Sequence, residues 1–63
     1  MLIAKTSSLT SRTHEMVIDV SDKQIALWME GGLIQDVMPN LSPDEREFIM
    51  TGITPAEWDE AFA

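Results

Sequence analysis

Three helix-start signals follow residue 20 of this 63-residue sequence, and they constrain its fold more than any other feature. In each of them a Ser or Thr is followed three positions later by Glu or Gln. This is the pattern of a capping box, in which both side chains bond backbone N–H groups at a helix start. The pairs are Ser21 with Gln24, Ser42 with Glu45, and Thr54 with Glu57. The sequence therefore predicts helices that begin within two residues of Ser21, Ser42 and Thr54.

Glycines and apolar spacing predict where these helices end and which sides they bury. Gly31 and Gly32 end the first helix, and Gly52 ends the third. Residues 33–38 form a short second helix before Pro39. Apolar residues at helical spacing predict the buried sides of the first and last helices. These residues are Ile25, Trp28 and Met29 in the first helix, and Trp58, Ala61 and Phe62 in the last.

Alternating apolar and polar residues before residue 21 predict extended structure. Within residues 14–20, Met16, Ile18 and Val20 fall on one face of a strand. Residues 1–9 are either the hairpin partner of this strand, joined to it by a polar turn, or a loose N-terminal arm.

The composition is that of a folded domain without disulfides. The chain contains no Cys, and 44% hydrophobic with 24% charged residues is a globular proportion. We therefore expect one small α+β domain over residues 1–63. In it, an N-terminal strand or β-hairpin in residues 1–20 packs on three to four short helices in residues 21–63.

The chain is acidic, and the acidic excess is unevenly placed. Its formal net charge is −7, and the whole excess lies after residue 29, where Arg46 alone opposes the acids. Such a surface repels nucleic-acid phosphates and anionic membranes, so we expect no direct binding to either. A protein partner with a basic surface is compatible with it. Without Cys or an apolar run long enough to span a bilayer, the expected location is the cytoplasm.

No residue pattern predicts catalysis, a cofactor or a metal site. The single histidine, His14, has neither a Cys nor a nucleophile motif to work with, so we expect a surface residue of the strand. The carboxylates of Asp44, Glu45 and Glu47 lack the glycine-centred spacing of a calcium loop. Helix capping and the helix dipole explain the first two without a metal.

A small set of residues is predicted to bind a partner. Glu57, Asp59 and Glu60 are expected on the solvated side of the last helix, where they either bind a basic groove or only keep the protein soluble. Leu27 and Met50 lie off the apolar stripes of their helices, among charged residues. Either a second copy of the chain covers them, pairing also along the free strand edge, or the N-terminal arm covers them within the monomer.

Two stretches, residues 33–48 and 52–62, carry a distinctive arrangement. Its features are Ile34-Gln35-Asp36, Leu41-Ser42, the helix start at residues 44–48, and the ending Gly52, Thr54, Pro55, Glu57, Trp58 and Asp59. These stretches, about half of the chain, resemble short acidic uncharacterised proteins encoded by bacteriophages, particularly by small single-stranded-DNA phages. The resemblance implies a small non-enzymatic phage protein that acts on a phage or host protein, and it implies no catalytic or binding residue.

The leading hypothesis from the sequence is a non-enzymatic protein-interaction module or inhibitor of phage origin. One alternative is a minor structural or assembly component that acts as a homo-oligomer. Another is an acidic mimic of nucleic acid, which would compete with DNA or RNA for its partner, whereas an ordinary interaction module would not.

Overall fold

A computed structural model of the protein describes residues 1–62 and shows an antiparallel hairpin followed by four helices. The strands are β1 (Leu2–Thr6) and β2 (Thr13–Val17). The helices are α1 (Asp22–Met29), α2 (Ile34–Val37), α3 (Pro43–Thr51) and α4 (Pro55–Phe62). This architecture confirms the predicted α+β fold, and it shows that residues 1–9 hold a paired strand rather than a loose arm.

Alternation along both strands decides which face of the hairpin turns toward the helices. The register pairs Leu2 with Val17, and both lie on the exposed outer face. The inner face is formed by the half-buried residues Ile3, Lys5, His14 and Met16. The apolar members of this inner face pack against the core.

Strand β2 is shorter than the strand predicted from the sequence, which extended to Val20. Met1 and Ile18 still exchange backbone hydrogen bonds, of 2.8 and 2.9 Å. Beyond them the Asp19 carbonyl accepts a bond from Asn40 Nδ2 at 2.8 Å, and the Val20 N–H turns back to the Ile18 carbonyl. At Asp19 and Val20 these two bonds take the place of the hydrogen bonds that would pair β2 with a neighbouring strand. The inward direction predicted for Ile18 and Val20 is confirmed, since both are buried.

The capping boxes predicted from the sequence are formed. The hydroxyls of Ser21 and Ser42 each accept the backbone N–H three positions on, and the Gln or Glu side chain there accepts the N–H of the cap. Thr54 Oγ1 accepts the Glu57 N–H at 3.2 Å, and Glu57 Oε1 accepts the Thr54 N–H at 3.2 Å. Each helix begins one residue after its cap, so the predicted helix starts are confirmed.

Replacing Thr54 by Ala should lower the free energy of unfolding by about 1 kcal/mol, because the first turn of α4 loses the side-chain acceptor of an N-cap. The urea midpoint measures this loss. Thr54→Ser keeps the hydroxyl and serves as the control with a smaller effect. An unchanged midpoint in Thr54→Ala would show that this cap does not stabilise α4.

Helix α3 ends against the backbone of the hairpin. Its C-cap, Gly52, has φ of 75°, and the N–H of Gly52 donates to the Phe48 carbonyl at 2.7 Å. A β-carbon on Gly52 would lie 2.4 Å from the Thr6 carbonyl oxygen. Beside this contact, the Ser8 N–H donates to the Thr51 carbonyl at 3.0 Å. Only glycine provides both the left-handed turn and the close approach to the hairpin.

The hairpin region and the helices share one apolar core. Its buried members are Ile18, Val20, Ile34, Met38, Leu41, Phe48 and Ile49. Helix α1 covers this core only from the side, since Ile25 and Trp28 are half-buried and no residue of α1 is fully buried. The prediction that Met29 belongs to the buried stripe is wrong, because its side chain is 78% exposed beside a cleft that separates α1 from β1.

Candidate functional site

Helix α4 is attached to the hairpin by a side that its apolar spacing does not predict. Glu57 is 3% exposed, whereas Trp58 and Phe62 are 37% and 66% exposed. Ala61 is exposed as well. The prediction that Trp58, Ala61 and Phe62 line the core is therefore wrong, and so is the placement of Glu57 on the solvated side.

The buried carboxylate of Glu57 is held by side chains of the hairpin, and this explains why α4 packs by this side. Thr10 Oγ1, in the hairpin loop, donates a hydrogen bond to Glu57 Oε2. His14 Nε2, from the inner face of β2, lies 3.1 Å from the same oxygen. Within residues 1–62 this nitrogen is buried and forms no aligned hydrogen bond, so the Glu57 carboxylate is the polar group that it contacts.

The loop that presents Thr10 is ordered by Ser7. The Ser7 side chain is buried, and its hydroxyl accepts the N–H groups of Leu9 at 3.2 Å and Thr10 at 3.4 Å. The Ser7 N–H donates to the Arg12 carbonyl at 2.8 Å, and Ser11 takes a φ of 63° to close the turn. A Ser- and Thr-rich loop thus places one hydroxyl where α4 needs a donor.

These contacts lower the pKa of the Glu57 carboxyl from 4.5 to about 2. The hydrogen bond from Thr10 is the largest cause. Burial opposes it by raising the pKa, while the contacts with His14, Thr54 and Ser7 lower it further. Glu57 is therefore ionised at neutral pH, and a carboxylate with so low a pKa is a weak base. The arrangement suits attachment of α4 to the hairpin rather than proton transfer.

Thr10 and His14 are the members of this cluster that sequence reasoning missed. The sequence does predict Glu57 as the third residue of a capping box, which accounts for one of its carboxylate oxygens. It predicts His14 as a surface residue, and this is wrong for the buried ring nitrogen. No local signal identifies the distant donors that meet the second oxygen, because hairpin and helix come together only in the folded chain.

The solvent side of α4 combines aromatic rings with carboxylates. The ring centroids of Trp58 and Phe62 are 4.7 Å apart, with the rings tilted by 35°. Asp59 and Glu60 are exposed, as predicted, and the sequence of α4 contains no basic residue. We call Trp58, Asp59, Glu60 and Phe62 the α4 surface.

Leu27 and Met50, which lie off the helical stripes, are each 43% exposed. The explanation that residues 1–9 cover them within the monomer is wrong, because both residues stay exposed. Met50 lines a cleft of about 320 Å³ with Ile34 and Arg46, and Leu27 does not line it. The structure does not bring Leu27, Met50 and the α4 acids into one site, and partner binding by Leu27 and Met50 stays a prediction.

A larger, mainly apolar cleft of about 470 Å³ lies between β1 and α1. Strand β1 contributes Ile3 and Lys5, the preceding Met1 also lines the cleft, and helix α1 contributes Ile25, Trp28 and Met29. We call it the β1–α1 cleft. It lies apart from the Glu57 cluster, none of whose side chains line it.

The fold and these surfaces define a small α+β domain in which a β-hairpin holds the short helix α4 through a buried carboxylate. Comparisons with models of protein families, with curated proteins and with solved structures find no match. Within residues 1–62, no three His, Asp or Glu side chains come together as a metal-binding group. No helix of that part of the chain is long and apolar enough to cross a membrane.

Proposed function

We propose that this protein is a small non-enzymatic interaction module that binds a partner protein through the α4 surface. One observation carries the proposal: α4 is fixed to the hairpin by Glu57, which leaves Trp58 and Phe62 on the outside. Exposed aromatic rings are unfavourable in water, and Trp is enriched among residues that dominate binding energy. A partner that covers these rings would gain that burial.

The charges beside the rings indicate the chemistry of the partner. Asp59 and Glu60 flank the aromatic pair, and the chain as a whole carries −7. A complementary partner presents an apolar pocket rimmed by Lys or Arg, since opposite charges guide the encounter of two proteins and fix its orientation. The resemblance to short acidic phage proteins favours a phage or host protein in the host cytoplasm, on which the module acts as an inhibitor.

Replacing Trp58 and Phe62 by Ala should abolish the capture of the partner by the immobilised protein from a bacterial lysate. Truncating a binding hot spot weakens affinity by roughly 30-fold or more. The control is Leu9→Ala with Leu33→Ala, which removes apolar side chains of comparable exposure outside α4. Far-UV circular dichroism should show both variants folded. If the same proteins are captured after both α4 rings are removed, the α4 surface is not the binding site.

Reversing Asp59 and Glu60 to Lys should slow association with the captured partner by about tenfold at low salt, because these carboxylates guide the encounter. Biolayer interferometry at increasing NaCl concentrations measures this rate. Glu30→Lys with Asp36→Lys makes the same change in net charge at other exposed positions and serves as the control. Equal slowing by both double variants would contradict a localised acidic site. If duplex DNA competes for the partner, the acidic-mimic alternative is favoured instead.

A further inference from the structure

One edge of β1 carries unpaired backbone groups beside the β1–α1 cleft. Met1 and Ile18 exchange hydrogen bonds through both their N–H and C=O groups, and bonded pairs alternate along an antiparallel ladder. The N–H and C=O groups of Leu2 and Ala4 therefore point away from β2. Within residues 1–62 they form no hydrogen bond with another part of the chain.

The open part of this edge is short, and it differs from the edge of β2. At the end of β1 the Thr6 carbonyl faces Gly52, so the open stretch is confined to Leu2 and Ala4. The residues of β1 that line the cleft include Ile3 and Lys5, whereas no residue of β2 lines it. Of the two strand edges, only that of β1 therefore combines free backbone groups with the apolar cleft.

We infer that the β1 edge and the β1–α1 cleft form a self-association site for a second copy of this chain. The second copy adds its own β1 in antiparallel direction, about a twofold axis beside Ile3. Each outward N–H and C=O of Leu2 then meets the groups of Ala4 in the other copy. The two hairpins become one continuous sheet, and their clefts merge around the Ile3 side chains. Pairing in this way satisfies an edge that would otherwise stay open.

The β1–α1 cleft carries one positive and one negative side chain, and this favours a second copy of the chain over a partner whose surface is uniformly basic or acidic. Lys5 and Asp22 line it from β1 and α1 respectively. Within residues 1–62 neither of them has an oppositely charged group within 4.0 Å. A twofold axis can bring Lys5 of each copy to Asp22 of the other, so the surface complements itself. A uniformly basic or acidic partner would leave one of these charges unmatched. The same contact covers Met29, which is 78% exposed.

Proline substitution distinguishes the two strand edges. Ala4→Pro removes an outward N–H without breaking a bond to β2, and Glu15→Pro makes the matched change on the edge of β2. Light scattering over a range of concentrations should give twice the chain mass for the unmodified protein and for Glu15→Pro. Ala4→Pro should give the mass of one chain. The α4 surface is unchanged in all three proteins, so this test is independent of partner binding.

A second variant and a second measurement keep the test decisive if Ala4→Pro does not fold. Met29→Glu changes an exposed side chain and should likewise lose the dimer while keeping its circular dichroism spectrum. In the unmodified protein the amides of Leu2 and Ala4 should exchange hydrogen more slowly than those of Glu15 and Val17, and dilution should remove the difference. A single-chain mass at every concentration overturns the inference. So does a dimer that survives Met29→Glu or shows no protection of Leu2 and Ala4.

Discussion

Replacing Gly52 by Ala should destabilise the protein by about 3 kcal/mol, because two unfavourable effects coincide at this position. A φ of 75° costs a residue with a β-carbon about 1 kcal/mol. The new β-carbon would also lie 2.4 Å from the Thr6 carbonyl oxygen and 2.9 Å from the Ser7 nitrogen. Relieving such an overlap costs about 1–3 kcal/mol when the neighbours are backbone atoms that cannot move aside freely. The sum is a large part of a small domain's stability.

The matched control is Gly31→Ala. Gly31 also has a positive φ, of 107°, but a β-carbon there would meet no atom within 4 Å. Gly31→Ala should therefore cost only the backbone strain, and the difference between the urea midpoints of the two variants isolates the contact between α3 and the hairpin. Equal midpoints would show that the hairpin yields to the added methyl group without loss of stability.

Replacing Glu57 by Gln should release α4 from the hairpin while the rest of the fold persists. Glu57 is the buried residue of α4, and the bond that it accepts from Thr10 is strong because the acceptor is ionised. A neutral amide also loses the charge that faces His14. Hydrogen exchange should show α4 amides losing protection while those of α3 keep it. Glu60→Gln makes the same chemical change at an exposed position and should leave α4 in place.

Acid provides an independent check on Glu57. Its pKa is lowered from 4.5 in the unfolded chain to about 2 in the folded one. The stabilisation that it provides is therefore complete above about pH 4.5 and is lost as the pH falls toward 2. The difference in urea midpoint between the unmodified protein and Glu57→Gln should shrink across that range. A difference that stays constant from pH 4.5 to 2 would contradict the role assigned to the carboxylate.

The helix starts could be read from the sequence because the bonds that make them are local. A capping box joins a residue to the third residue after it, so Ser21, Ser42 and Thr54 act wherever the rest of the chain lies. The end of α3 at Gly52 is local in the same sense, since a left-handed residue stops the helix. The inward direction of Ile18 and Val20 follows from the alternation of a strand.

The side by which α4 packs on the hairpin could not be predicted from local sequence patterns. Helical spacing predicts that Trp58 and Phe62 face inward, because apolar side chains gain most from burial. In the folded chain the hairpin instead offers Thr10 and His14, and an ionised Glu57 with these partners takes the buried place.

Hydrogen bonds between residues that are close together in the sequence determined where the helices begin and where α3 ends. Contacts between residues far apart along the chain decided which side of α4 faces the hairpin, how closely Gly52 approaches Thr6, and which apolar side chains stay exposed. The physical reason is that capping depends on the geometry of one helical turn. Burial depends on what the rest of the fold places opposite each side chain.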